Sequence, residues 1–173
     1  MKTILLIPIG DINTEILGEV SKAIENTFPF KASTGKILKI PERAFNSRRN
    51  QYHSTIILNE LSKNKRESDL VLGITDVDLY VPQLNFVFGE ADILRGIAVI
   101  SLTRLREEFY RARPDQKLLI ERAIKEAIHE IGHLCGLDHC HDRRCIMYFS
   151  NSIRDTDIKG PGFCKPCRVR LGF

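Results

Sequence analysis

The 173-residue sequence has no uninterrupted apolar run of 18 residues, no internal repeat and no low-complexity tract. The first absence excludes a membrane-spanning helix. The other two, together with the lack of any flexible linker, predict a single domain over residues 1–173. Hydrophobic residues at 43% and charged residues at 28% are ordinary for a globular domain, so a disordered or fibrous chain is excluded as well.

Charge of neither sign dominates the chain. Lys and Arg number 26 against 22 Asp and Glu, which gives a net charge of +4, and the basic residues are spread out. A nucleic-acid-binding domain typically carries a stronger and more clustered positive charge. We therefore expect no nucleic-acid partner, and we interpret the polar segment 42–50 as a solvated loop.

We do not expect a signal peptide either. Residues 3–9 are apolar, but Pro8 interrupts them and no small-residue cleavage site follows. We interpret this segment as a buried strand and expect a cytoplasmic monomer without a membrane partner.

The cysteines do not form the pattern of a secreted disulfide scaffold. Their number, five, is odd, and four of them fall in the last 34 residues. A reduced cytosolic protein keeps such residues as thiols or as metal ligands.

Apolar periodicity predicts an α/β sheet that carries helices. The predicted strands lie at residues 3–9, 35–40, 69–74 and 96–102, with a short edge strand at 85–88. Helices are predicted after Asn13 up to residue 27, at residues 53–64, where a Thr-Ile-Ile run leaves the assignment ambiguous, and from Pro114-Asp115 to Gly136. This divides the domain into an N-terminal subdomain, 1–136, and a small irregular C-terminal subdomain, 137–173, with too few apolar residues to be held by burial alone.

The end of the long helix carries the pattern H-E-x-x-H-x-x-G-x-x-H. Side chains four residues apart lie on one helical face, so His129 and His133 can bind one zinc ion. Gly136 allows a sharp turn, after which His139 can return as the third ligand. Three protein ligands leave a fourth position for water, which is typical of a catalytic zinc.

Glu130 follows His129 and is rotated by about 100° around the helix. Its carboxylate is therefore expected beside the zinc-bound water, where it can act as general base and pass the proton to a leaving amine. The alternative is an amphipathic core helix whose histidines are incidental. Gly132, inside the helix, suggests either that another backbone packs closely there or that this is a neutral surface position.

Two short cysteine pairs follow the histidines. Cys140 and Cys145 form the first pair, and Cys164 and Cys167 form the second, as C-K-P-C. Four thiolates in this spacing indicate a closed structural zinc site, so two zinc ions per chain are expected. Disulfides and a rubredoxin-like iron remain open alternatives.

The combination H-E-x-x-H-x-x-G-x-x-H-C, then C-x-M, then C-x-x-C over residues 129–167 resembles the archaemetzincin family of the metzincin clan. Residues 73–79 and 86–91 also resemble that family. Membership implies a compact metzincin-like domain, with a twisted, mostly parallel sheet, an antiparallel edge strand and a long zinc-binding helix. It also implies a catalytic zinc at His129, His133 and His139, a structural zinc at the four cysteines, and Met147 as the methionine of a turn beneath the metal.

Two functions of the protein are consistent with these patterns. The first is a zinc metallopeptidase whose peptide or protein substrate lies along the edge strand near 86–88. The second is a zinc-binding adaptor in which the histidine site is idle. Glu130 favours the peptidase, because a binding module gains nothing from a carboxylate beside the water.

Overall fold

The computed structural model describes residues 2–65 and 69–172. The predicted domain 1–173 thus includes residues 1, 66–68 and 173, which lie outside the described part. In chain order the elements are β1 (Lys2–Ile9), α1 (Thr14–Thr27), β2 (Phe30–Thr34), β3 (Phe45–Asn46), β4 (Gln51–His53), α2 (Ser54–Ser62), β5 (Leu70–Thr75), β6 (Leu79–Tyr80), β7 (Gly89–Asp92), β8 (Ile97–Ser101), α3 (Gln116–Leu134), α4 (Ile153–Ile158) and α5 (Lys165–Leu171).

A five-stranded sheet in the order β2-β1-β5-β8-β7 forms the centre of the molecule. Four strands are parallel and β7 pairs antiparallel with β8 at one edge. The strands β5 and β8 are buried along their whole length, as expected for parallel strands covered on both faces. The predicted α/β class, with a mostly parallel sheet and an antiparallel edge strand, is confirmed.

The helices cover the two faces of the sheet with separate cores. On one face α1 and α3 pack against each other and on the strands, and on the other face α2 packs against β5 and β8. Local sequence fixes where α1 and α3 begin. Asn13 Oδ1 accepts a hydrogen bond from the Glu15 amide, and Asp115 Oδ1 accepts one from the Leu118 amide.

The second strand is not where the apolar pattern predicted it. It spans Phe30–Thr34, in parallel register with β1, whereas the segment 35–40 makes only one isolated bridge, between Ile9 and Leu38. Ile37 is 68% exposed, so one of the three apolar side chains of that segment faces solvent. The prediction was wrong because the chain leaves α1 at Thr27 and enters the sheet at Phe30, after a connection of only two residues, Phe28 and Pro29.

The edge strand is also displaced from its predicted position. It is Gly89–Asp92 rather than residues 85–88, of which only Val87 makes a bridge, to Leu79. Glycine and acidic residues are poor strand formers, and here the hydrogen bonds to β8 outweigh that preference. The predicted loop 42–50 contains a 3₁₀ turn (Glu42–Ala44) and β3, which pairs with β4.

The C-terminal segment is less irregular than the sequence indicated. It contains the short helices α4 and α5, and several of its apolar side chains join the larger core of the sheet. These residues are Leu137, Cys145, Ile146, Met147 and Cys167. Burial against the main body therefore contributes to holding a segment that cannot form a core of its own.

Within residues 2–65 and 69–172, no helix combines the length and the apolar character needed to cross a bilayer.

Candidate active site

The three predicted histidines meet at one point beside α3. His133 Nε2 lies 3.1 Å from His129 Nε2 and 3.2 Å from His139 Nε2. The helix supplies the first two, as the spacing predicted. The third arrives by a turn in which Gly136 has φ +88° and the Leu137 amide donates a hydrogen bond to the Gly132 carbonyl. A residue with a Cβ is strained at that φ, which explains the glycine.

The partners of the imidazole rings fit a metal ion. His129 Nδ1 lies 2.8 Å from the Ile146 carbonyl oxygen, and His133 Nδ1 lies 2.7 Å from the Leu137 carbonyl oxygen. A carbonyl only accepts, so each Nδ1 carries the proton and each Nε2 presents its lone pair to the common point. Burial lowers the pKa of His129 well below its usual range and also lowers the pKa of His133 and His139. The rings are therefore neutral, which is the form that binds a metal.

Glu130 lies next to this cluster and is almost fully buried, with 5% of its surface exposed. Burial raises the pKa of Glu130 well above its usual range, and the nearby Glu126 carboxylate raises that pKa further. A Cβ at Gly89 would lie 2.6 Å from Glu130 Oε1. The carboxylate thus occupies space that only a glycine in β7 leaves open, a constraint that sequence reasoning missed.

A cleft of about 330 Å³ opens over the histidines and Glu130, between α3 and the edge strand β7. Its rim includes apolar side chains that are more than one third exposed, namely Leu84, Ile93 and Phe149. The ring centroid of Phe149 lies 4.8 Å from that of His139. Glu90 also lines the cleft, and the hydroxyls of Ser54 and Thr55 donate hydrogen bonds to its carboxylate.

Met147 is fully buried, and its sulfur contacts the position that a Cβ would take at Gly132. The close approach expected at Gly132 therefore comes from a side chain, not from a backbone. The residue before it, Ile146, provides the carbonyl oxygen that fixes the His129 ring. The role of Met147 as the turn methionine stays a prediction.

The four clustered cysteines also converge. The Sγ atoms of Cys140 and Cys164 are 3.7 Å apart, those of Cys145 and Cys167 are 3.8 Å apart, and all four lie within 4.8 Å of one another. Each of these thiols is free. Four thiols at these distances fit a single tetrahedral ion, which is the site that the sequence predicted.

Beneath the cleft lies a buried polar group that sequence reasoning did not find. Glu126 lines the cleft with only 3% of its surface exposed. Lys159 Nζ lies 2.8 Å from Glu126 Oε1, and the Thr156 hydroxyl donates a hydrogen bond of 3.1 Å to the same oxygen. The sequence feature that could have indicated Glu126 is its position three residues before His129. No such feature marks Lys159, which lies on a distant segment.

The sequence profile described as Peptidase family M54 matches residues 9–172. The chain belongs to peptidase family M54. Among its relatives, the archaemetzincin of Methanocaldococcus jannaschii is 49% identical over 95% of this chain and 89% of that protein. The archaemetzincin of Pyrococcus furiosus is 47% identical over 97% of this chain and 91% of that protein.

Solved structures agree with this membership. The crystal structure of an archaemetzincin from Methanopyrus kandleri superimposes with a TM-score of 0.88 at 38% identity, over 99% of this chain and 94% of the other. A zinc-dependent peptidase from Methanocorpusculum labreanum gives a TM-score of 0.89 at 33% identity, over 97% of this chain and 99% of the other. The resemblance to archaemetzincins that the motifs indicated is confirmed.

Proposed function

We propose that this M54 family member is a zinc-dependent metallopeptidase in which Glu130 is the general base. The observation that carries the proposal is that three imidazole nitrogens and a buried carboxylate line one open cleft. Relatives named archaemetzincin and a solved zinc-dependent peptidase support the activity class.

The proposed ligands of the catalytic zinc are His129, His133 and His139. When bound, zinc supplies a Lewis acid that polarises a substrate carbonyl and lowers the pKa of water to about 7. Glu130 takes the proton of the attacking water and passes it to the departing amine. Its buried position supports this role, because burial raises the pKa of Glu130 and so makes its carboxylate a stronger base toward the proton of water.

The substrate is a peptide or protein segment that binds in extended form along β7. This strand lies at the edge of the sheet, and Gly89, Glu90 and Ala91 line the cleft. An extended peptide can pair with the free backbone groups of such an edge. The proposed position is therefore three residues further along the chain than the segment 86–88 that the sequence suggested.

A second zinc ion is proposed at Cys140, Cys145, Cys164 and Cys167, which makes two per chain. Its role is structural, because four thiolates close the coordination sphere. We also propose that subdomains 1–136 and 137–173 act as one catalytic unit. The setting that we propose is a cytoplasmic monomer without nucleic-acid or membrane partners. The five free cysteines and the small net charge support it.

The test compares Glu130→Gln with His129→Ala. Glu130→Gln should keep both zinc ions and the fold, because Glu130 is not a proposed ligand, yet hydrolysis of a peptide library should fall by about 10²-fold or more. His129→Ala should lose one zinc ion. The measurements are zinc content per chain, circular dichroism and cleavage rate.

Equal rates for wild type and fully metallated Glu130→Gln would contradict the proposed mechanism. A protein that binds zinc at the histidines but cleaves no library peptide would instead favour the adaptor interpretation.

A further inference from the structure

Glu126 lies on the helical face that carries the proposed zinc ligands. Residues i, i+3 and i+7 share one face of a helix, and these are the positions of Glu126, His129 and His133. The sequence Glu126-Ala127-Ile128-His129 also has the Glu-x-x-His spacing at which one helix supplies both a carboxylate and an imidazole to a metal centre. Glu126 is therefore a potential fourth protein ligand.

The Glu126 side chain is, however, held away from the histidines. Its carboxylate is not among the donor atoms that cluster within 4.8 Å at the three imidazoles. Instead Lys159, whose side chain is 0% exposed, places Nζ 2.8 Å from Glu126 Oε1, and Thr156 donates a hydrogen bond to the same atom. Both partners come from the segment around α4, more than two dozen residues away in sequence.

The chain fixes Lys159 itself firmly in place. Its amide donates a hydrogen bond of 3.0 Å to the Asp155 carbonyl at the end of α4. The following residue, Gly160, donates one of 2.8 Å to the Arg144 carbonyl within the cysteine-rich segment. A Cβ at Gly160 would lie 2.9 Å from that same oxygen, so the backbone approaches closely there. The backbone around Lys159 is therefore held, and the buried side chain brings its ammonium group to Glu126 as an ion pair.

We propose that Lys159, assisted by Thr156, is a positioning residue that keeps Glu126 out of the coordination sphere of the catalytic metal. A carboxylate that joined three imidazoles would complete a closed four-coordinate site, which is the structural type. With Glu126 bound to Lys159, three ligands remain and the fourth position stays open for chemistry. This inference rests on the proposed function, because it assumes a metal at the three histidines.

The experiment substitutes Lys159→Met, which keeps a long apolar stem and removes the charge. Freed from its cation, Glu126 should turn to the metal, so zinc at the histidines should bind about 10-fold more tightly, the scale on which partners of ligands act. Hydrolysis should fall at the same time. A crystal structure of the zinc-loaded variant should place a Glu126 oxygen about 2.0–2.2 Å from the ion.

The affinity is measured by chelator competition on the two-zinc protein. The His129→Ala protein lacks the ion at the histidines, so the zinc that the chelator removes from it comes from the four-cysteine site. The remaining zinc release in the other proteins is then assigned to the histidines. The double variant Lys159→Met/Glu126→Gln should return zinc affinity to the wild-type value, because the additional ligand is gone.

Lys125→Met is the matched control. Lys125 also reaches the α4 segment, with Nζ 3.0 Å from the Thr156 carbonyl oxygen and 3.2 Å from the Asp157 carbonyl oxygen, but it makes no ion pair with Glu126. Its loss should leave zinc affinity unchanged. An equal rise in both lysine variants would overturn the proposal, since it would reflect loosening of α4 alone.

Unchanged or weaker zinc binding in folded Lys159→Met would also overturn the proposal while leaving the peptidase function intact. If Lys159→Met does not fold, Thr156→Val decides, since it removes one of the two partners of Glu126 and keeps the lysine. Thr156→Val should also tighten zinc binding at the histidines, and an unchanged zinc affinity in this variant would count against the proposal. Absence of any zinc at the histidines of the wild type would instead contradict the proposed function.

Discussion

Gly132 and Gly18 are both glycines inside helices, but their surroundings differ. A Cβ at Gly132 would contact the sulfur of Met147, whereas a Cβ at Gly18 would meet nothing within 4 Å. Replacing a helical glycine with alanine gains about 1 kcal/mol of stability, while forcing an additional methyl group into a packed core costs about 1–3 kcal/mol. The contact with Met147 therefore decides whether alanine at position 132 stabilises or destabilises the protein.

We expect Gly132→Ala to lower the free energy of unfolding and Gly18→Ala to raise it, each by about 1 kcal/mol. For a chain of this size that is a change of about 2–4 °C in unfolding temperature. Displacing Met147 should also disturb Ile146, whose carbonyl fixes the His129 ring, and so weaken zinc binding. Thermal unfolding of both variants tests this, and a stabilised Gly132→Ala would show that Met147 can move aside freely.

The residues of the site were predictable to the extent that their spacing is local. Two histidines on one helical face, a carboxylate beside the first and a glycine at the turn all follow from residues 129–139. Lys159 was not predictable, because its contact with Glu126 depends on how the chain folds back over α3. Gly89 was not predictable either, since what it accommodates is the side chain of Glu130.

The turn from α3 into the cysteine-rich segment links the two proposed metal sites. His139 directly precedes Cys140, whose amide donates a hydrogen bond of 2.9 Å to the Met147 carbonyl. Cys140 Sγ lies 3.7 Å from Cys164 Sγ. An ion at the cysteines would therefore anchor the segment that carries the third histidine.

Cys164→Ser should consequently weaken zinc binding at the histidines by about 10-fold or more, although no histidine changes. Cys135→Ser is the matched control, because Cys135 caps α3 outside the cysteine cluster. Chelator competition measures both. Equal affinity in Cys164→Ser and Cys135→Ser would mean that the two sites are independent.

At the scale of elements, the three helices that cover the sheet were easier to predict than its second and edge strands, whereas the short helices α4 and α5 were not predicted. The helix predicted over residues 53–64 is α2, Ser54–Ser62, and the long helix ends at Leu134 with Cys135 as its C-cap, directly before the glycine that indicated its end. In contrast, the edge strand β7 has the composition of a turn, Gly-Glu-Ala-Asp, and is a strand only because β8 supplies its hydrogen bonds. Pairing of this kind depends on contacts that no local pattern contains.

Across the whole molecule, α3 joins a well-packed body to a segment held by different forces. The body has two apolar cores on the faces of the sheet, while residues 137–172 contribute a few buried side chains and four clustered thiols. A structural zinc site can supply about 10–16 kcal/mol to the folding of a small segment. Loss of an ion from the histidines and loss of an ion from the cysteines should therefore have different consequences for the molecule.

We expect two zinc ions per freshly purified chain, of which a mild chelator removes only the one at the histidines. That site has three ligands and an open cleft, and its helix stays folded through its own core contacts. Hydrolysis should therefore stop while the unfolding temperature changes little.

Removing the second ion with a thiol-specific mercurial should loosen residues 137–172, which hydrogen exchange would detect as faster exchange there than in β5 and β8. Elemental analysis that finds one ion or none before any chelation would contradict the two-site arrangement. Loss of both ions together under the mild chelator would contradict the distinction between an open site and a closed one.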